Sequence, residues 1–323
     1  MPPLRMCCRL AIVIMALILQ SCAEPKTGLN PPLPPQPVIA ALPSPAIKDV
    51  VILVSENIPA YSKVAKMLAK QLAGHGSIRY LKGSQLENIK MLAANKDDGN
   101  KQFVSIGLNA TLAAKTLTNR QVVFCQVFNY QDYDLLTPKH KGVSIMPSMS
   151  KTFSTWRALA PGTADIGVIS GPGFEDMMQL AKTAAKLNGI TLHHKTVNSD
   201  KEYQYAFKQM ADKVQGFWLI PDNRVLSGNI LRDVMTFSIH NSKQVAVFSD
   251  ELLSLGGLFS TTSDPQEVAQ EVLRRLKQAQ NTEIIPGPDI AYPDKSILRI
   301  NSVMAKLLNL EIPAQYKKYE NAF

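Results

Sequence analysis

From Asp49 to Asp250 the chain repeats one pattern. A short, unbroken apolar run is followed by a stretch with apolar residues every three or four positions, and glycine, proline or asparagine separates them. Continuous apolar runs suit strands buried on both faces, and the longer spacing suits helices that cover them. The runs Val50–Ser55, Ser77–Leu81, Phe103–Gly107 and Gln121–Phe128 read as strands. The stretches Pro59–Leu72, Gln85–Ala94 and Asn109–Leu117 read as helices between them. After a polar interval the series restarts with a helix at Lys151–Ala160. Strands at Asp165–Ser170, Ile190–Val197, Gly216–Ile220 and Val245–Phe248 then alternate with helices at Phe174–Leu187, Tyr203–Val214 and Asn229–Ile239. A helix at Pro265–Gln280, a strand at Ser296–Ile300 and a helix at Ser302–Leu310 close the chain. The expected fold class is α/β, with two lobes of similar build and parallel sheets. A length of 323 residues agrees with two domains at ~100–200 residues each.

In open parallel sheets, ligands sit beyond the carboxyl ends of the strands, where N–H groups of the following helices point outward. That rule selects Ser55 after the first strand and Asn109, Ala110 and Thr111 after the third. It selects Phe128 and Asn129 after the fourth, and Asp222, Asn223 and Asp250 in the second lobe. Asn109 is a good helix cap, and free N–H groups beside it suit a carboxylate. An acid at 222 or 250 suits a ligand ammonium. Each has a structural alternative: Asn109 as a plain cap, Asp222-Asn223 as turn chemistry, Asp250 as a cap or surface acid.

Enzyme signatures are missing from the sequence. There is no Gly-x-Ser-x-Gly elbow, no Gly-x-x-x-x-Gly-Lys-Ser/Thr loop and no HExxH motif. His193 and His194 are adjacent on an expected strand and point to opposite faces, so they do not chelate one metal together. A binding protein without enzymatic activity, cofactor or metal is the expectation.

The first residues carry an address. Arg5 and Arg9 precede ten apolar residues, Leu10–Leu19, too few for a membrane span of about 20 residues. Leu19-Gln20-Ser21-Cys22 resembles a bacterial lipobox, which implies cleavage after residue 21 and a lipid on Cys22. A plain signal peptide that happens to hold a cysteine is the alternative. Eight prolines between Pro25 and Pro45 make residues 22–47 an extended spacer, able to reach roughly 75 Å at ~3.1 Å per residue. Cys7 and Cys8 leave with the signal, so Cys125 is the thiol of the folded body, and its apolar neighbours place it in a core. Arg5 and Arg9 are the charges of residues 1–21, so 33 of the 35 bases stay with the 26 acids. A basic body held near anionic lipid accounts for this excess better than nucleic-acid binding, which is not expected.

Four stretches carry a family resemblance. They are Phe103–Ala114, then Gly142-Val143-Ser144 with Trp156–Pro161, then Gly167-Val168-Ile169 with Gly171-Pro172-Gly173. The fourth runs through Gly216–Asn223, Val245–Asp250, Gly257-Leu258 and Asn309–Pro313. In this order they resemble the ABC-transporter substrate-binding proteins of the periplasmic-binding-protein type 1 fold, in the subgroup with tryptophan/phenylalanine-binding lipoproteins. The likeness covers nearly all of residues 48–313. It departs at Phe128–Tyr133, where relatives carry an Asp-Pro turn, and at the polar segment Asn95–Asn100, where relatives carry a longer helix-strand unit.

The resemblance implies two Rossmann-like lobes joined by three crossovers near 145–150, 250 and 290. The division it implies is 48–147 plus 251–289 for the first lobe and 148–250 plus 290–323 for the second. It implies that Asn109, Ala110 and Thr111 face a small-molecule ligand, with Asn129, Asp222, Asn223 and Asp250 nearby. The expected function is solute capture for an ABC permease by a monomer tethered in the cell envelope, on its periplasmic or extracellular face. The alternative is a lipoprotein that uses the same fold to bind or regulate an envelope protein.

Overall fold

The computed structural model describes residues 49–94 and 101–322. The expected signal, Cys22 and the proline-rich spacer lie outside the described residues, as does the segment 95–100. Among the described residues no helix is long and apolar enough to cross a membrane.

The described strands form two sheets. The first holds β1 (Val50–Val54), β2 (Gly76–Tyr80), β3 (Gln102–Ile106), β4 (Val122–Cys125), β5 (His140–Val143) and β11 (Ile290–Ala291), in the order β11-β5-β4-β3-β1-β2. All its neighbours pair in parallel. The second holds β6 (Asp165–Ser170), β7 (Thr191–Thr196), β8 (Gly216–Trp218), β9 (Gln244–Val247), β10 (Phe259–Ser263), β12 (Ser296–Asn301) and β13 (Glu320–Asn321), in the order β13-β12-β10-β9-β8-β6-β7. Its pairs are parallel except β10 with β12.

Burial explains the apolar runs. All five residues of β1 are buried, and they split between two cores by alternation. Val50, Ile52 and Val54 join Val64 and Leu68 of α1 (Pro59–Gln71) and Val268, Val272 and Leu276 of α8 (Pro265–Ala279). Val51 and Leu53 join Leu92 of α2 (Gln85–Ala94) and Ala110 and Ala113 of α3 (Leu108–Ala114). The second sheet repeats this plan. Ile166 and Val168 of β6 meet Phe153 and Trp156 of α4 (Met149–Leu159) and Met177 and Ala181 of α5 (Glu175–Leu187). Ile169 faces the other way, to Tyr203 and Phe207 of α6 (Asp200–Ala211) and Val234 of α7 (Gly228–His240). Both tryptophans are in the second lobe, edge-on to Phe259 and Phe153 at 5.5 and 5.4 Å.

The chain passes between the sheets three times, and the second crossing falls elsewhere than expected. The first, between β5 and α4, lies at 144–148. The second lies at Ser263-Asp264 instead of near 250, because β10 pairs with β9 and β12 before α8 returns to α1. The third lies at 292–295, since Ile290-Ala291 extends the first sheet alongside β5 before β12 joins the second. The first and third crossings are bonded to each other, Ser144 N–H to Ala291 O at 2.8 Å and Ser148 N–H to Pro293 O at 2.9 Å. A short helix, α9 (Ser302–Leu307), follows β12.

Candidate functional site

The ends of β1 and β3 are used internally. The Ser55 hydroxyl accepts the Ala110 N–H at 2.8 Å. Thr111 donates its hydroxyl to Gly107 O at 2.8 Å and lies 3.0 Å from the Ser105 hydroxyl. Ser55, Ala110 and Thr111 are all buried. Asn109 is exposed and does not cap α3; Gly107 occupies the cap position, at φ 84°. A Cβ there would lie 2.6 Å from the Tyr61 ring and 2.7 Å from the Ser55 hydroxyl, so only glycine lets the helix begin so close to β1. The expected anion site at this helix start is thereby filled by the protein's own Ser55.

The segment after β4 supplies the first lobe's contribution to the cleft. Gln126, Asn129 and Asp134 all adopt left-handed backbone, with φ of 57°, 46° and 46°. Such conformations cost energy outside glycine, least for Asn and Asp, and cluster where the surroundings impose them. They turn the chain sharply around a 3-10 turn at Tyr130–Tyr133. Asn129 is thereby buried, while Phe128 stays 49% exposed. Asn129 Nδ2 donates to Asn223 Oδ1 across the cleft at 2.5 Å. Asn129 Oδ1 and Gln131 Oε1 are buried with no hydrogen-bond partner among the described residues.

The second lobe contributes Gly171–Phe174 and Pro221–Arg224. Asp222 is 2% exposed, and its carboxylate is fully engaged. Oδ1 accepts Arg224 Nε at 2.8 Å and the Arg224 backbone N–H at 3.2 Å. Oδ2 accepts the Gly171 N–H at 2.7 Å and Arg224 Nη2 at 2.9 Å. Arg224 also donates to Pro172 O at 3.0 Å and, across the cleft, to Asp132 Oδ1 at 2.6 Å. Its guanidinium lies 5.5 Å from the centre of the Phe174 ring. Hydrogen bonding to Asp222 strengthens its hold on its proton. Gly173, at φ 84°, brings the second lobe so close that an added Cβ would lie 2.9 Å from Gln131 Cβ. Asp250 is turned away from this junction, accepting Ser260 Oγ and Arg299 Nε, both at 2.6 Å.

The structure therefore brings Phe128, Asn129, Asp222 and Asn223 to one place between the lobes. It gives Ser55, Ala110, Thr111 and Asp250 bonds within their own lobes. Arg224, Asp132 and Gln131 meet at the same junction, and the sequence reading did not select them.

A cavity of about 30 Å³ lies at the junction, room for about one water. Its walls come from both lobes: Phe124, Asn129, Tyr130 and Gln131 on one side, Phe174 and Met177 on the other, and Tyr292 from the third crossing. Burial, helped by Asp176 and Asp289, pushes the Tyr130 hydroxyl up to about 12. Burial also raises Tyr292, helped by Tyr130 and Asp176. A second hollow of about 240 Å³ is lined by Phe128, Pro221, Asp222, Asn223, Leu226, Leu231 and Phe248. Phe128 and Pro221 line both spaces and so divide them.

Comparison with known proteins gives one family. Residues 85–272 match the family described as ABC transporter substrate binding protein. No curated protein matches this chain. Among solved structures, an ABC domain in complex with L-Trp from Streptococcus pneumonia is 20% identical, with a TM-score of 0.55 over 84% of this chain and 98% of its own. A ligand-free, open substrate binding protein with adhesive properties from Clostridium difficile is 16% identical, with a TM-score of 0.62 over 85% of this chain and 99% of its own. A conserved domain protein from Vibrio cholerae is 18% identical, with a TM-score of 0.55 over 85% and 99%. These likenesses agree with two mostly parallel α/β sheets of the periplasmic-binding-protein type 1 fold.

Proposed function

Because this chain belongs to the family of ABC transporter substrate-binding proteins, we propose that it captures a small solute between its two lobes and delivers it to an ABC permease. The observation that carries this reading is the pair of buried, partnerless oxygens, Asn129 Oδ1 and Gln131 Oε1, beside a cavity walled by both lobes. Buried polar atoms without partners are costly and are normally satisfied. A ligand arriving between open lobes would supply the missing donors, and closure would complete the walls. The protein works from a lipid anchor at Cys22, on the periplasmic or extracellular face, with the spacer giving it reach.

Thermal-shift screening of amino acids, nucleosides and small organic anions tests the proposal. The L-Trp of the pneumococcal neighbour makes aromatic amino acids the first compounds to try. A true ligand at 100 times its dissociation constant adds about 2.7 kcal/mol of stability. A folded sample that no solute stabilises would count against capture. Loss of metabolic palmitate labelling in Cys22→Ser tests the anchor.

One observation favours a second reading, a lipoprotein that binds an envelope protein. The cleft's charged groups are bonded to one another, and the cavity walled by both lobes and the third crossing is about 30 Å³. Recovery of one envelope partner by crosslinking, unaffected by Asn129→Leu and Gln131→Met, would select this reading over capture.

A further inference from the structure

The chemistry of the cleft walls says more than that a solute binds. The cavity is lined by aromatic, aliphatic, methionine and amide side chains and Ser144, with no Asp, Glu, Lys, Arg or His among them. Asp222, Asp132 and Asp250, the acids bonded at or near this junction, are already paired. Asp222 has four hydrogen bonds on its two carboxylate oxygens. Asp132 holds Arg224, and Asp250 holds Ser260 and Arg299 within the second lobe. Arg224, the cation nearest the junction, is shared by two carboxylates and so has little left for a ligand carboxylate. Asp176, on the first turn of α5, influences both tyrosines but is exposed and does not line the cavity.

Two amide oxygens on the walls lack donors. Asn129, 9% exposed, has one amide hydrogen bond to Asn223 and an oxygen with none. Gln131 Oε1, from the same turn, is buried with none either. Two acceptors among aromatic rings fit a planar molecule that offers N–H or O–H groups at its edge and stacks through its face. A zwitterion placed there would bury two full charges without counter-charges, a far larger cost than an unmade neutral hydrogen bond. Space for a ring comes from displacing Phe128, which divides the 30 Å³ cavity from the 240 Å³ hollow. The ionisable side chain lining that hollow is Asp222, already paired.

We infer that the cleft selects an uncharged aromatic solute bearing N–H or O–H donors and discriminates against a zwitterionic amino acid. This inference rests on the solute-capture reading above. Calorimetric titration with two matched pairs tests it: indole-3-acetamide against L-tryptophan, and phenylacetamide against L-phenylalanine. Each pair keeps its ring and differs in charge. The neutral member is expected to bind at least about tenfold tighter. Gln131→Met, with an unchanged melting temperature, should weaken the neutral member about tenfold by removing an acceptor. Equal or tighter binding of either amino acid overturns the inference and leaves solute capture standing. Failure of both neutral probes overturns it as well. Capture itself then falls only if the wider panel of amino acids, nucleosides and anions also fails.

Discussion

Arg224 carries the most exacting test of this architecture. Its guanidinium supplies two of the four hydrogen bonds on Asp222, whose side chain is 1% exposed, and one bond to Asp132, whose side chain is 38% exposed. Arg224→Ala leaves a buried carboxylate with the Gly171 and residue-224 backbone N–H groups as its donors. Breaking one side of a buried pair costs roughly 3–5 kcal/mol, and the two retained N–H groups place this case near about 3 kcal/mol. Asp132→Ala removes the solvent-screened arm and should cost about 0.2–1 kcal/mol. The double variant Asp222→Asn/Arg224→Met removes both charges and should recover most of the loss, because uncharged partners avoid the desolvation cost. Trp156 and Trp218 both lie in the second lobe's core, so urea unfolding followed by tryptophan fluorescence reads the lobe that holds the pair. If Arg224→Ala costs under ~1 kcal/mol, or no more than Asp132→Ala, the reasoning from burial is wrong.

Three further outcomes are expected. Cys125 is fully buried, and burial pushes its thiol up to about 12, so a chain starting at residue 48 should resist thiol reagents when native and react once in urea. Burial lowers the proton affinity of His140 and His194; the unfolded chain therefore binds more protons as pH drops below ~6.5, and stability should fall there, measurably less so in His140→Gln/His194→Gln. Gly173→Ala forces a Cβ against Gln131 and a left-handed backbone on alanine, at about 1–2 kcal/mol, so small-angle scattering should show a more open pair of lobes than in the parent; an unchanged profile would contradict the close approach.

The alternation of strands and helices was legible because strands buried on both faces must be apolar throughout, as β1 is. The strands that escaped notice break that rule. β10 reads Phe-Ser-Thr-Thr-Ser, and β5 reads His-Lys-Gly-Val; both owe their place to neighbours far along the chain. Missing β10 displaced the second crossing to 250. The strand-end rule selected Asp222 and Asp250, and the structure pairs each with an arginine. Nothing local to Asp222 shows that the arginine two residues on folds back over it, and Asp250 meets Arg299 across 49 residues. Asn109 looked like a cap because asparagine caps helices, but the close approach of Ser55 to Gly107 starts the helix earlier. Asn129 was found by its position after β4; the left-handed turn that buries it carries no signal beyond Asn and Asp at two of its three bends.

The late return of α8 to the first lobe bears on the order of events during synthesis. One face of the first sheet is sealed by Val268, Val272 and Leu276, and Gln102 Nε2 donates to Leu276 O, 174 residues later. Until those residues emerge, the apolar side of β1, β3 and β4 is covered only in part, by α1. The lobe made first is completed late, when five of the second lobe's seven described strands are already present. Contacts so distant in sequence slow folding. A chain with this layout completes the core of its first lobe only once α8 has been made.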